Sequence, residues 1–347
     1  MFELILSDCL TSRPVTDALK KNYRRGTRHL VIVPDRFTLS YERAILRELS
    51  LKGTFDIEVA SFSRLADNAM ESEGTGCLDS LSEVMLLRKV IERNRDKLKC
   101  FAGSAARAGF CSEMYAVLSQ VRASGVSLAA LKEAAVKLKG KTALKTEDIV
   151  LLYGEYMAAL GGMEDNQSKL EVLLERVKEG SWRDAHVYIS DFTGFTAVEE
   201  DIVSALAQNS LSLTMCLPAD RSAPNAGIYP LGTLARLTQA ASEAGIKTEV
   251  RECRLLKGDL AVLGANLFGY GGKKFTSDGS VFLFSSPTAE SEIRWVARQI
   301  KGAVTDKGRR YRDFAVVCCD RTEYVGVVDK VFADFGIPVY FAAKSPL

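Results

Sequence analysis

Residues 4–34 read "LILSDCLTSRPVTDALKKNYRRGTRHLVIVP". A short aliphatic run, a polar loop, an amphipathic stretch ending in Gly26 and a second run, "HLVIVP", follow one another within a single small unit. That is a β-α-β arrangement, and strands joined through helices of this length lie parallel, in a sheet covered on both faces. The loop between the first strand and the helix has the length and setting of a phosphate-binding loop, G-x-x-x-x-G-K-[ST]. Laid over that pattern, Ser7 and Ser12 stand at the glycines, Arg13 at the lysine and Pro14 at the Ser/Thr.

Each substitution conflicts with the chemistry. Such a loop turns backbone N–H groups inward where glycine permits it, sets a lysine on the outer phosphates and a hydroxyl on magnesium. Serine disfavours the glycine-only backbone, arginine is bulkier than lysine at a crowded point, and proline has neither hydroxyl nor N–H. Pro14 suits the first turn of a helix capped by Ser12 or Arg13. The stretch therefore predicts a structural strand-to-helix turn, with a weak anion site at the helix start as the alternative.

Outward from this unit the α/β alternation continues, with a helix in "TLSYERAILRELSLKG" and a strand in "FDIEVA". From about Leu78 to Gly180 strand-like runs vanish, and "SEVMLLRKVIERNRDKL", "GFCSEMYAVLSQVRASG", "TEDIVLLYGEYMAAL" and "NQSKLEVLLERVKEG" succeed one another as amphipathic helices. The sheet resumes with "AHVYIS", the helix "AVEEDIVSALAQN", the strand "SLSLTMCLP" and a helix from about Leu231 to Ala244. After the glycine-rich, polar "YGGKKFTSDGS" come the strand "VFLFSS", the helix "AESEIRWVARQIKGAV", the strand "DFAVVCC", the helix "YVGVVDKVFADFG" and the strand "IPVYFA". The expected organisation is a first α/β domain over 1–77 and 181–275, a helical inserted subdomain over 78–180, and the beginning of a second α/β domain over 276–347. Three strands are few for a sheet, so the chain is expected to be a fragment.

Composition excludes several classes. At 347 residues with 47% apolar and 26% charged side chains, the chain is globular rather than disordered, and long enough for two cores. Lysine plus arginine (46) nearly balances aspartate plus glutamate (44), which argues against a uniformly basic nucleic-acid binder. Eight cysteines without a C-x-x-C pair, and only His29 and His186, give no zinc pattern. No apolar run reaches a membrane span, and the expected location is cytoplasmic with reduced thiols. His29 in a basic turn and His186 at a strand start offer no nucleophile scheme. Cys318 and Cys319 read as packing residues closing a buried strand. The basic run "KKNYRRGTRH" reads as a solvated helix face or as a phosphate-tracking patch.

"LVIVPDRFTLSYERAIL", "VASFSRLA", "LSEVMLLRKVIERNRDKLKCF", "VYISDFTGFTAVEEDIVSAL" and the stretch from "SSPTAESEIRWVARQIKGAV" to "FADFGIPVYF" together resemble one family along nearly the whole chain. It is that of the B subunits of the bacterial AddAB (RexAB) helicase-nucleases, which process double-strand DNA ends. The resemblance implies a RecA-like fold of superfamily 1 helicase type, interrupted by a helical subdomain and followed by the start of a second RecA-like domain. It also implies a motor-nuclease A subunit as partner and single-stranded DNA as ligand. No cofactor is expected in these residues, because the family's iron-sulfur cluster belongs to a C-terminal nuclease domain.

Motors of this class end a core strand with an acidic pair, whereas "VYISDF" offers Ser190 and then one carboxylate, Asp191. They also place an arginine just after a strand of the second domain; here Cys318 and Cys319 hold that place, and Arg321 comes two residues late. The expectation is a helicase core without ATPase activity, kept as a scaffold. An active nucleotide hydrolase and a pure protein-interaction module are the alternatives.

In the family the dead core reads the hotspot sequence Chi on the exiting strand. By resemblance the contacts would fall on Asp35, Arg36 and Thr38, on Phe62, Arg64 and Asp67, and on Phe192 or Phe195. Arg36 stands where a glutamine is common and Asp67 where a tryptophan is, so an unchanged Chi pocket is not expected. Asp35 and Thr38 read equally well as a strand end and a helix cap, and Phe62 as core.

Overall fold

A computed structural model of the chain describes all residues except 10–11, 74–77, 108, 162–165, 221–227, 268–273, 319–320 and 342–347. The chain divides into two compact units, Met1–Thr276 and Ser277–Leu347.

The first unit opens with β1 (Phe2–Ser7), α1 (Arg13–Asn22), β2 (Arg28–Ile32), α2 (Thr38–Glu48), β3 (Ile57–Ala60) and α3 (Phe62–Glu73). After a helical stretch of α4 (Ser80–Asn94), α5 (Phe110–Ala123), α6 (Leu128–Lys137), α7 (Gly140–Leu160) and α8 (Asn166–Glu179), the alternation resumes. It runs through β4 (Ala185–Ile189), α9 (Ala197–Asn209), β5 (Ser212–Pro218), α10 (Ile228–Glu243), β6 (Thr248–Cys253) and α11 (Gly258–Asn266). The strands form one six-stranded sheet in the order β3-β2-β4-β5-β1-β6, parallel at every pairing. This is a RecA-like α/β fold.

Side-chain alternation divides the core. Ile5, Val31, Val33, Val59, Tyr188 and Cys216 point to the face covered by Val15, Ala18 and Leu19 of α1 and Tyr41 and Ile45 of α2. Leu4, Leu6, Leu30, Ile32, Val187 and Ile189 point to the other, against Leu65 of α3, Leu173 and Val177 of α8, Val203 of α9 and Leu237 of α10. Each such aliphatic side chain, fully buried, contributes about 1.5–3 kcal/mol, so the two layers specify the register of the strands strongly.

The same division fixes where a ligand can sit. From β1 to β2 to β3 the chain steps in one direction across the sheet, and from β3 through β4 and β5 to β6 it steps in the other. Right-handed crossovers then put the two sets of helices on opposite faces. Where neighbouring strands send their chains to opposite faces, as β1 and β5 or β2 and β4 do, a crevice opens outside their carboxyl ends.

The helical stretch read over 78–180 divides between two cores. Helices α4, α5 and α7 share one of their own, with Leu87, Ile91, Met114, Leu118, Leu152 and Tyr156 buried. Its α4–α5 connection is pinned by the buried Asp148, whose carboxylate accepts the N–H groups of Lys99, Cys100 and Phe101 at 2.9, 2.8 and 2.9 Å. Helix α8 instead buries Leu173 and Val177 beneath the sheet. No helix among the described residues is long and apolar enough to cross a membrane.

In the second unit α12 (Ala289–Lys307) and α13 (Arg321–Asp334) pack through Ile293, Ala297 and Ile300 against Val328, Val331 and Phe332. The strands expected at "VFLFSS", "DFAVVCC" and "IPVYFA" are absent among the described residues of this unit, which leave out Cys319 and Ala342. Leu283, Val317 and Tyr340 are 99%, 91% and 90% exposed. A sheet of so few short strands gains little from pairing, and these segments surround the helix pair without a ladder. Cys318 is exposed rather than the end of a buried strand.

Candidate nucleic-acid interface

Two loop regions share the carboxyl edge of the sheet, and they differ in what their polar groups do. At the end of β1, Ser7 is buried and its Oγ donates to the carbonyl of Cys9 at 2.8 Å. The carboxylate of Asp8 accepts the N–H groups of Leu255 at 2.9 Å and Leu256 at 3.0 Å, tying the loop to the segment after β6. Burial, followed by the Asp8 carboxylate, pushes the Cys9 thiol above its ordinary range.

Ser12 is the N-cap of α1, with helical backbone and no side-chain cap bond, and Pro14 lies in the first turn. Arg13 is exposed, 3.9 Å from Asp17 on the same helix. Among the described residues only Ser50 and Asp191 carry a positive φ without being glycine, so neither Ser7 nor Ser12 takes the conformation that a phosphate cradle asks of its glycines. A cavity of about 200 Å³ does lie beside this loop, among Ser7, Asp8, Asp220, Arg254 and Leu256. Among the described residues that line it, Arg254 is 3.7 Å from Asp220 and 3.3 Å from Glu252, so its guanidinium faces carboxylates.

The loops after β3, β2 and β4, neighbours in the sheet, form the second region. After β2 the chain makes a 3₁₀ turn over Asp35–Phe37, and Thr38, first residue of α2, donates its hydroxyl to the Asp35 carbonyl at 3.0 Å. Arg36 is exposed, its guanidinium carbon 4.8 Å from the centroid of the Phe37 ring. After β3, Ser61 donates its hydroxyl to Asp35 Oδ1 and accepts the N–H of Arg64 at 3.1 Å. Arg64 is therefore held in the first turn of α3 with its side chain outward.

After β4 the chain turns through Asp191, buried and left-handed with φ 64°. The turn sends Phe192 and Phe195 back towards Phe62. Their centroids lie 5.3 Å (Phe62–Phe192), 6.3 Å (Phe62–Phe195) and 5.0 Å (Phe192–Phe195) apart. A capping box then starts α9: Thr196 N–H donates to Glu199 Oε2 at 2.8 Å, and Glu199 N–H to Thr196 Oγ1 at 3.3 Å. Beneath this loop burial drives the Tyr41 phenol well above its usual range, with Ser190 and Asp191 as neighbours.

The expected residues of this region are thus brought together, in unequal roles. Phe62 is 3% exposed and supports the cluster from below, while Phe192 and Phe195 are half-buried and present ring surface. Asp67, one turn further along α3, forms an ion pair with Lys169 of α8 at 2.7 Å. Ser61 and Tyr41 were not among the expected site residues. A serine between a strand and an amphipathic run is a readable N-cap signal, but its second bond, to Asp35, has no local signature.

The basic run lies at the amino edge of the sheet. Arg24 folds back on the carbonyls of Lys21 and Tyr23 at 3.2 and 2.8 Å, and Arg28 pairs with Asp184 at 2.9 Å. Among the described residues no group of three or more His, Cys, Asp or Glu side chains could hold a metal ion.

Residues 11–259 match a family model described as "ADDB, N-terminal". The chain is 27% identical over 352 residues to the B subunit of the ATP-dependent helicase/deoxyribonuclease of Bacillus cereus (strain AH187), covering 94% of this chain and 30% of that protein. Against the protein of the same name from Heliobacterium modesticaldum (strain ATCC 51547 / Ice1) it is 29% identical over 354 residues, covering 94% of this chain and 29% of the relative. The chain thus spans under a third of the length of these relatives.

Proposed function

From membership of the ADDB N-terminal family, to which this chain belongs, we propose that it is the inactivated helicase-like scaffold of a DNA double-strand-break repair helicase-nuclease. It works in the cytoplasm, seats a motor-nuclease partner and holds one DNA strand on the loops after β2, β3 and β4. The observation that carries the reading is the use made of the β1 loop. Ser7 and Asp8 spend their polar atoms on the protein's own backbone, and the described part of the loop has no positive φ outside glycine. A motor loop keeps those groups for phosphate and magnesium.

The second region supports strand holding. A single strand is bound by ring faces on which bases stack and by cations along its backbone. Phe192 and Phe195 offer the first, and Arg36 and Arg64 the second. Net charge near zero fits a contact confined to a rim rather than a wide electrostatic footprint.

Two titrations on the contaminant-free protein test this. Magnesium-ATP is expected to show no saturable binding and no turnover; turnover would make the chain a hydrolase and overturn the scaffold. A fluorescein-labelled oligothymidylate is expected to bind at low salt, with log affinity falling by about 0.7 per log unit of salt for each phosphate contact. No binding even at low salt would leave a protein-interaction module. Competition between oligonucleotides of different sequence separates Chi-type reading from plain strand holding.

A further inference from the structure

The hydroxyl of Ser61 joins two strand-end loops. It is 3% exposed, donates to a carboxylate oxygen of Asp35 in the loop after β2, and accepts the Arg64 N–H at the start of α3. Next to Asp35 stands Arg36, so one buried serine is bonded to both segments that carry the exposed arginines of the rim. We propose that Ser61 is a positioning residue that sets the spacing of Arg36 and Arg64, and with it the register of phosphate contacts, through its bond to Asp35. The inference rests on the reading of this rim as a single-strand surface, and it adds residue roles that the family resemblance does not supply.

The chemistry of Asp35 is the argument. Asp35 is exposed on the rim, where a carboxylate opposes phosphate by charge, so its presence there needs a reason other than phosphate contact. Ser61 supplies one: the carboxylate oxygen accepts a hydrogen bond from a buried donor, and bonds to a charged acceptor are stronger than neutral ones. The same hydroxyl satisfies an N–H that would otherwise be orphaned at the start of α3. The loop after β2 and the first turn of α3 are thereby fixed to each other at one oxygen atom. Thr38 fixes the other side of the turn through the Asp35 carbonyl. A long flexible arginine binds phosphate in a defined register only if its backbone is held, and this bond holds both backbones at once.

The test uses oligothymidylate affinity across a salt series, with thermal melting in parallel. Ser61→Ala is expected to lower affinity about tenfold and to flatten the salt slope by about 0.7, the share of one phosphate contact. Ser61→Thr, which keeps the hydroxyl, is expected to restore both. In an Arg64→Ala background Ser61→Ala should leave the slope where Arg64→Ala already put it. Asp35→Asn keeps an acceptor and removes the charge, so it is expected to bind at least as tightly as wild type, whereas Asp35→Ala binds like Ser61→Ala.

If Asp35→Asn loses as much affinity as Asp35→Ala, Asp35 contacts the DNA itself and the positioning role is wrong. That pair decides the matter even if Ser61→Ala fails to fold. Wild-type affinity and slope in a folded Ser61→Ala protein would equally overturn the inference, while leaving strand binding by the rim intact. Absence of binding by wild type would instead overturn the strand-holding reading.

Discussion

The loop after β1 and the loops after β2, β3 and β4 lie along the same edge of the same sheet, yet they treat their polar groups in opposite ways. The first turns them inward: Ser7 to the Cys9 carbonyl, Asp8 to the N–H groups of Leu255 and Leu256, and Arg254 towards carboxylates. The second ties one buried serine, Ser61, to the exposed carboxylate of Asp35, and leaves arginines and ring surface outside. A RecA-like sheet supplies the crevice in both places, because strand order alone creates it. Side chains decide whether a crevice is a site. One sheet edge can therefore carry two loop regions of the same setting whose side chains suit them to different uses.

The largest effects are expected within the aromatic cluster of the second region, where support and contact can be separated. Phe62 is buried, so Phe62→Ala should cost about 3–5 kcal/mol in urea unfolding, the range for truncating a core phenylalanine. Phe192 is half-buried, so Phe192→Ala should cost clearly less stability but about 1–3 kcal/mol of oligothymidylate affinity if a base stacks on it. Unfolding and binding measured on both variants check the division. Equal losses of stability, with affinity unchanged in Phe192→Ala, would make the whole cluster core and remove the contrast between the two regions.

Acidification probes the sheet that both regions share. His29 on β2 lies opposite His186 on β4, with ring centroids 5.3 Å apart, and its Nδ1 is buried without a hydrogen-bond partner. Burial first, then the neighbouring His186, lowers its pKa from the ordinary 6.5 to about 4. Above pH 6.5 the ring is neutral in both folded and unfolded chains, and this group takes nothing from stability. Between 6.5 and about 4 the unfolded chain takes up a proton that the native state refuses, so stability falls as pH falls, by about 3 kcal/mol in all. Below about 4 this group adds no further loss.

Urea unfolding at a series of pH values should show that decline in wild type and a flatter profile in His29→Gln. Unchanged profiles would mean that His29 is not the acid-sensitive group. His29 lies at the amino edge of its strand, away from both loop regions, so a loss of DNA binding that follows this decline would report the fold, whereas a loss that precedes it would report the rim.

Sequence reasoning reached these regions unevenly, for reasons that can be named. The central strands were legible because their apolar runs are buried on both faces, and the stretch read as the helix "AVEEDIVSALAQN" is α9 to its ends. Strand β6 was not legible: among the described residues it pairs with β1 alone, at an edge of the sheet, and Glu249, Arg251 and Glu252 break its apolar pattern. Helix α8 reads as amphipathic whichever core receives it, so periodicity could not assign it to the sheet. Within the site, the departures of the β1 loop from the G-x-x-x-x-G-K-[ST] pattern were visible in residue types alone. The different roles of Phe62 and Phe192 were not, because both are phenylalanines after strands and only packing separates them. The bond from Ser61 to Asp35 joins residues from different strand ends, and no local spacing encodes it.

The smallest expected effect is also the one that tests the first region most directly. Asp8 holds two backbone N–H groups, and removing its carboxylate leaves them without that acceptor at the wall of a small cavity. Asp8→Ala should therefore cost about 1 kcal/mol of stability, near the net worth of the hydrogen bonds lost from these half-buried donors. Asp8→Asn, which keeps one carbonyl acceptor, should cost less. Both variants should bind oligothymidylate like wild type, since the rim is separated from this loop by β5. Neither should acquire ATP binding, because losing one carboxylate leaves Pro14 without a hydroxyl, Ser12 in helical backbone and Arg254 beside Asp220. If magnesium-ATP does bind to Asp8→Ala, the crevice at β1 is a phosphate site held shut by a single internal carboxylate. The two regions would then differ by occupancy rather than by chemistry.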